Sequence, residues 1–148
     1  MYLAVKPEVP GWLGPRSVMD TTTFPPKVTK VHLVIEDWLG DDLLQCFPCQ
    51  FVTEKLMQLL TNAGLSGISF ESIKVTEGDQ FQELSPGRAL PNLWRLLVGT
   101  PAGEGEIGVT HDMQLVVSDE MFSWLASNCQ LNNCSTSQWI KPPEQLEL

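Results

Sequence analysis

Apolar and polar positions alternate most regularly over residues 28–36, where Val31, Leu33 and Ile35 share one face and His32 and Val34 the other. A period of two predicts a strand, and apolar character on both faces predicts an interior one. Over residues 53–63 the period changes: Leu56, Met57, Leu59, Leu60 and Ala63 recur at three- and four-residue spacing, with Thr53 placed to cap a helix and Gly64 placed to stop it. Residues 67–75 and 93–99 return to strand-like patterns. The polar stretch 76–91 carries the turn signal Ser85-Pro86-Gly87, and residues 100–112 read as a loop or hairpin. Between the first strand and the helix, Asp37-Trp38-Leu39-Gly40-Asp41-Asp42 predicts a turn or helix start, with Asp41 capping residues 42–45. Ahead of all this, residues 1–27 hold five of the eleven prolines. Proline fixes φ and removes a donor, so these residues predict an ordered but irregular arm after a short strand at 2–5, with Trp12, Leu13 and Met19 apolar enough to pack.

One stretch of pattern occurs twice. Phe51-Val52-Thr53-Glu54-Lys55-Leu56-Met57-Gln58-Leu59-Leu60 matches Val116-Val117-Ser118-Asp119-Glu120-Met121-Phe122-Ser123-Trp124-Leu125 class by class. Each copy runs from an apolar pair through a hydroxyl cap and an acidic first turn to an amphipathic face, which specifies a short strand feeding a capped helix. With one inserted residue the match continues, giving candidate repeat units at 51–75 and 116–140. Two copies are too few for a solenoid. The expectation is a single α+β domain over residues 1–148, with a mixed or antiparallel sheet and two similar capped helices.

A chain of 148 residues with 43% hydrophobic residues suits one ordinary core. Charge narrows the partners. Nine basic against eighteen acidic residues give a net charge of −9, the opposite of what phosphate backbones and anionic membranes attract, so neither nucleic acid nor membrane is expected. The amino terminus lacks a basic region followed by a long apolar run, which implies a cytoplasmic protein.

Cys46-Phe47-Pro48-Cys49 is a C-x-x-C motif, and Cys129 and Cys134 form a looser pair. The loose spacing argues against a structural zinc site, and a cytoplasmic setting argues against structural disulfides. A strand, then C-x-x-C, then an amphipathic helix resembles the order in thioredoxin-like proteins, making Cys46 and Cys49 an alternative redox site. A helix dipole activates a thiol only near the helix amino end, and a cap at Thr53 leaves Cys46 seven residues upstream. His111 beside Asp112 has no nucleophile at a supporting spacing. No cofactor fingerprint and no catalytic constellation occurs, so neither cofactor nor metal is expected and a non-enzymatic protein is.

The remaining signal is acidic. No Lys or Arg stands between Arg95 and Lys141, while Glu104, Glu106 and Asp112 all do; a second cluster comprises Glu36, Asp37, Asp41 and Asp42 around Trp38. Acidic patches steer basic proteins, and a tryptophan among carboxylates has hot-spot composition. In Glu36-Asp37-Trp38-Leu39-Gly40-Asp41-Asp42-Leu43-Leu44, Phe47-Pro48-Cys49, Val52-Thr53-Glu54 and Leu115-Val116-Val117-Ser118, the chain resembles small bacterial immunity proteins of polymorphic toxin systems, a kind also carried on mobile gene cassettes. That resemblance implies a protein-binding module rather than an enzyme. The acidic clusters themselves point to a basic partner, such as a cognate toxin, held through Asp37, Trp38, Asp41, Asp42, Glu104, Glu106 and Asp112. The alternatives are the thiol redox protein and a cassette-borne structural or homo-oligomeric protein.

Overall fold

The computed structural model describes residues 1–143. In chain order the strands are β1 (Tyr2–Lys6), β2 (Gly11–Leu13), β3 (Val18–Asp20), β4 (Lys27–Lys30), β5 (His32–Ile35), β6 (Leu43–Cys46) and β7 (Cys49–Thr53). Helix α1 (Glu54–Asn62) leads to β8 (Ile68–Ser72), β9 (Lys74–Glu77), α2 (Asp79–Leu84) and β10 (Leu93–Val98). The chain then forms β11 (Ile107–Val109), β12 (Leu115–Ser118), α3 (Asp119–Asn128) and β13 (Ser135–Trp139).

This architecture corrects the α+β expectation. Among the described residues strand accounts for 40% and helix for 17%, in thirteen strands, four sheets and three helices, so the fold is sheet-rich. The excess strand comes from segments whose pattern is too short or too polar to register as strand. The proline-rich arm supplies β2 and β3, and the serine-rich stretch after α3 supplies β13. Residues 28–36 are also divided, because the chain leaves β4 at Val31 and enters a different sheet as β5. Residues 43–46 form strand β6, and no helix is capped at Asp41.

Two four-stranded sheets have matching layouts, β6-β7-β10-β8 and β11-β12-β1-β13. In each, a hairpin feeds a helix, and the strand after that helix returns two places over, with an antiparallel strand filling the slot. Thr53 and Ser118 close the corresponding caps, their hydroxyls accepting from Leu56 N at 3.4 Å and Met121 N at 3.1 Å. Thr53 lies opposite Leu93 in its sheet and Ser118 opposite Tyr2 in the other. The residue after each cap donates its N–H across the same gap, Glu54 to the Asn92 carbonyl and Asp119 to the Met1 carbonyl. The slot strand holds a different place in the order of the two units: β10 follows its unit, whereas β1 precedes the other.

The β6-β7-β10-β8 sheet is the central layer, because its alternate residues feed two cores. Leu43, Val52 and Leu96 face the core containing Leu56 and Leu60 of α1, Met121 and Leu125 of α3, and Val5, Leu115 and Val117 of the matching sheet. Leu44, Phe51 and Leu93 point the other way, toward Leu33 and Ile35 of β5 and Phe81 of α2. There β2, β5 and β9 form a three-stranded sheet whose β5–β9 pair is parallel. Strands buried on both faces lose the alternating polar signature, which explains the near-continuous apolar runs of β5, β7 and β12.

Candidate functional site

The acidic cluster around Trp38 divides into internal and exposed parts. Asp41 and Asp42 are buried and spend their carboxylates inside the molecule. Asp42 accepts from the Thr53 hydroxyl at 2.7 Å and from Gln130 N at 2.7 Å, with the Lys55 ammonium at 3.9 Å. Asp41 accepts from Asn133 N at 2.8 Å and Asn133 Nδ2 at 3.1 Å. Glu8, also buried, accepts from Leu39 N at 2.7 Å and Asp41 N at 3.2 Å. Burial holds the Glu8 carboxyl above its ordinary range despite those two N–H donors, and the charges of Asp41 and Asp37 push the same way. Trp38 is half-buried: its indole N–H donates to the Asp41 carbonyl at 2.9 Å, and Arg88 lies 4.9 Å over its ring. The cluster therefore works as a clasp joining the arm, α1 and the α3–β13 link. Of the seven acidic-site residues read from sequence, Asp41 and Asp42 face inward and Asp37 and Trp38 are half-buried.

The other three are exposed but separated. Glu106 stands beside the start of α3, where its carbonyl accepts from Ser118 N at 2.9 Å, and Glu104 lies in the same loop. Asp112 sits at the opposite end of β11, in the turn of the β11–β12 hairpin, bonded to the Thr110 hydroxyl.

Cys46 and Cys49 face each other across the β6–β7 turn, ahead of α1 and outside the field of its amino end. All four thiols are free. Burial pushes the Cys46 thiol up and carries Cys49 to about 11, Cys134 to about 11 and Cys129 to about 12. Thiols held there are protonated at neutral pH, which is the reverse of an activated redox cysteine. His32 is internal as well: Nδ1 accepts from Arg16 N at 3.3 Å and Nε2 pairs with the Thr76 hydroxyl at 2.8 Å. Burial, and after it the charges of Arg16 and Lys74, lower its pKa.

Exposed apolar chemistry gathers elsewhere. The β6–β7 turn is only two residues long, Phe47-Pro48, so the Phe47 ring is thrust outward at the tip. Phe24, ahead of Pro25-Pro26 in the β3–β4 connection, stacks on it at 6.1 Å with 27° between ring planes. The rings are 66% and 54% exposed for Phe24 and Phe47, far above what a packed aromatic pair shows. Beside them a groove of about 640 Å³ is lined by Val9, Lys6, Asp112 and Met113. Met113 holds φ at +67°, a costly conformation for a side chain of its size. Its N–H donates to the Thr110 carbonyl at 3.0 Å, and its own carbonyl accepts from Gln50 Nε2 at 3.3 Å. Sequence reasoning passed over Phe24, Phe47 and Met113. The available signal was an aromatic next to proline in each of two turn segments, where a ring has no strand face to pack against.

No family model matches the chain, and no curated protein or solved structure matches it either. Among the described residues no helix is long and apolar enough to cross a membrane.

Proposed function

We propose that the protein is a non-enzymatic protein-binding module of the immunity-protein kind, whose contact face centres on Phe24, Phe47 and Met113. One observation carries this reading: two large, mostly exposed aromatic rings stack on each other across two separate turns, the β3–β4 connection and the β6–β7 hairpin. Leaving them there forgoes roughly half of the about 1.5–3 kcal/mol that full burial of each ring is worth, which a partner recovers by covering them. Aromatic and methionine side chains at the centre with Lys6 and Asp112 at the rim match the composition of binding hot spots.

The sign of the surrounding charge favours a basic partner. Asp112 adjoins the face, and the stretch 96–140, which holds no Lys or Arg, also carries Glu104, Glu106, Asp119 and Glu120. Charge of that kind speeds encounter more than it holds the complex. The test is surface binding kinetics against products of neighbouring genes. Phe47→Ala should raise the off-rate at least about ten-fold, whereas Asp112→Asn should lower the on-rate and weaken its salt dependence. Kinetics indifferent to both substitutions contradict the reading.

A further inference from the structure

Strand β10 alternates its side chains between the two cores, and the face that carries Leu93 into the core with Leu44 and Phe51 also presents Arg95 and Leu97. Beyond Leu93 these two side chains line a cavity of about 500 Å³. Pro25, Pro26 and Val28 supply a second wall from the β3–β4 connection and β4, and Pro48 and Met113 complete the apolar lining. A neighbouring cavity of about 360 Å³ shares Pro48, Arg95, Leu97 and Met113 and carries apolar lining on to Ile68 and Val109. A size within about 300–1,000 Å³ and an apolar lining with a few charged groups are the properties of a small-molecule site.

The charged group that distinguishes this cavity is Arg95, only 8% exposed. The strand register sets it opposite Glu71 of β8. Its Nη1 donates to the Val28 carbonyl at 2.6 Å and lies 3.5 Å from Glu71 Oε1, so both contacts fall on one nitrogen. Among the described residues no hydrogen bond uses Nε or Nη2, the parallel N–H pair that matches the two oxygens of a carboxylate. Glu71, half-exposed, meets Nη1 alone and leaves that fork open. A buried guanidinium gains most from a partner that fills its donors, since few of them can reach water.

The local charge has the sign an acid needs. Exposed Lys27 also lines the cavity and makes no ion pair among the described residues, so two cations stand against the one carboxylate of Glu71 in a chain of net charge −9. Apart from these three and Thr29, the side chains lining the cavity are apolar. Amide groups of a peptide would find few partners here, whereas the body of a free acid needs none.

We propose that this cavity is a ligand site, separate from the aromatic face, for a free organic acid with an apolar body. The carboxylate sits on Nε and Nη2 of Arg95, and the body packs against Pro25, Pro26, Leu97 and Met113.

Titration of the ¹⁵N-labelled full chain with octanoate tests this. The Arg95 Nε–H resonance and the amides of residues 95–97 should shift saturably, and octanamide, of the same length but uncharged, should bind at least about ten-fold more weakly. Arg95→Lys keeps a cation opposite Glu71 but removes the fork, and should weaken octanoate at least about ten-fold. Leu97→Trp should abolish binding by filling the cavity. Circular dichroism verifies that each variant folds, and the Nε–H shift in the parent chain decides the matter without either of them. Absence of a saturable shift, equal affinity for octanamide, octanoate binding that leaves the Arg95 Nε–H unmoved, or tighter binding of the peptide acid acetyl-Ala-Leu-Val would each overturn the proposal.

Discussion

Asp42 and Gln130, 88 residues apart, hold each other reciprocally: the Asp42 N–H donates to the Gln130 carbonyl at 2.9 Å, and the Gln130 N–H donates to Asp42 Oδ2 at 2.7 Å. The same carboxylate receives the hydroxyl of Thr53, the cap of α1. One buried side chain thus joins the first helix of the fold to the exit of the last. Removing a partner from such a site costs far more than the net worth of its bonds, because the remaining donors stay buried and unmet.

Asp42→Ala should therefore destabilise by about 2–4 kcal/mol, and Asp41→Ala by a similar amount through Asn133. Glu104→Gln and Glu106→Gln, on exposed loop positions, should stay within about 0.5 kcal/mol of the parent. Urea denaturation of the four variants checks the contrast. Equal, small effects at all four positions would show that Asp41 and Asp42 are surface groups after all.

Much of this was legible from sequence, and what was not has physical causes. Thr53 and Ser118 signal their caps because a helix start needs a hydroxyl, an acidic turn and an apolar stripe within a few residues, all local. The partners of Asp41 and Asp42 lie in residues 130–133, which no local pattern connects to them. A carboxylate reads the same in sequence whether it meets water or a buried amide. The three-residue strands β2, β3 and β11 are shorter than any alternation that could reveal them, and β13 lacks an apolar face altogether.

Two buried groups should give opposite pH slopes. Glu8 has a raised pKa in the fold, so the folded state binds its proton more readily than the unfolded chain, and stability falls as pH rises from the ordinary 4.5 through the raised value. His32 has a lowered pKa, so its contribution is complete above the ordinary 6.5 and is lost as pH falls from there toward the folded value. Glu8→Gln should remove the first slope and His32→Gln the second, seen as urea midpoints measured across pH. Midpoint differences from the parent that do not change with pH would contradict both assignments.

The thiols should be inert. Ultraviolet thiolate absorbance should show no cysteine ionising below about 9 in the folded protein, and thiol-reactive dyes should label it far more slowly than the urea-unfolded chain. A thiol titrating near neutrality would restore the redox alternative at Cys46 and Cys49.

Tyr2 and Trp139 pair in neighbouring strands with their rings 6.1 Å apart, so β1 enters its sheet beside the exit of β13. A circular permutant in which a Gly/Ser linker joins Leu148 to Met1, with new ends opened at the exposed Pro86-Gly87 turn, should fold with the parental circular dichroism spectrum. It makes β1 follow its own unit and β10 precede the other, so the two units exchange arrangements. A permutant that stays unfolded would contradict the equivalence of the two units.

Partner binding through the aromatic face is tested by site-specific photocrosslinking in the host cell. A benzoylphenylalanine placed at Phe47, and separately at Phe24, should capture the same single basic protein. The same probe at Glu83, exposed on α2, should not capture it, and Phe24→Ser should abolish capture from position 47. No crosslink above background at either aromatic position, or the same products from Glu83, would contradict the claim that this face exists to bind a partner.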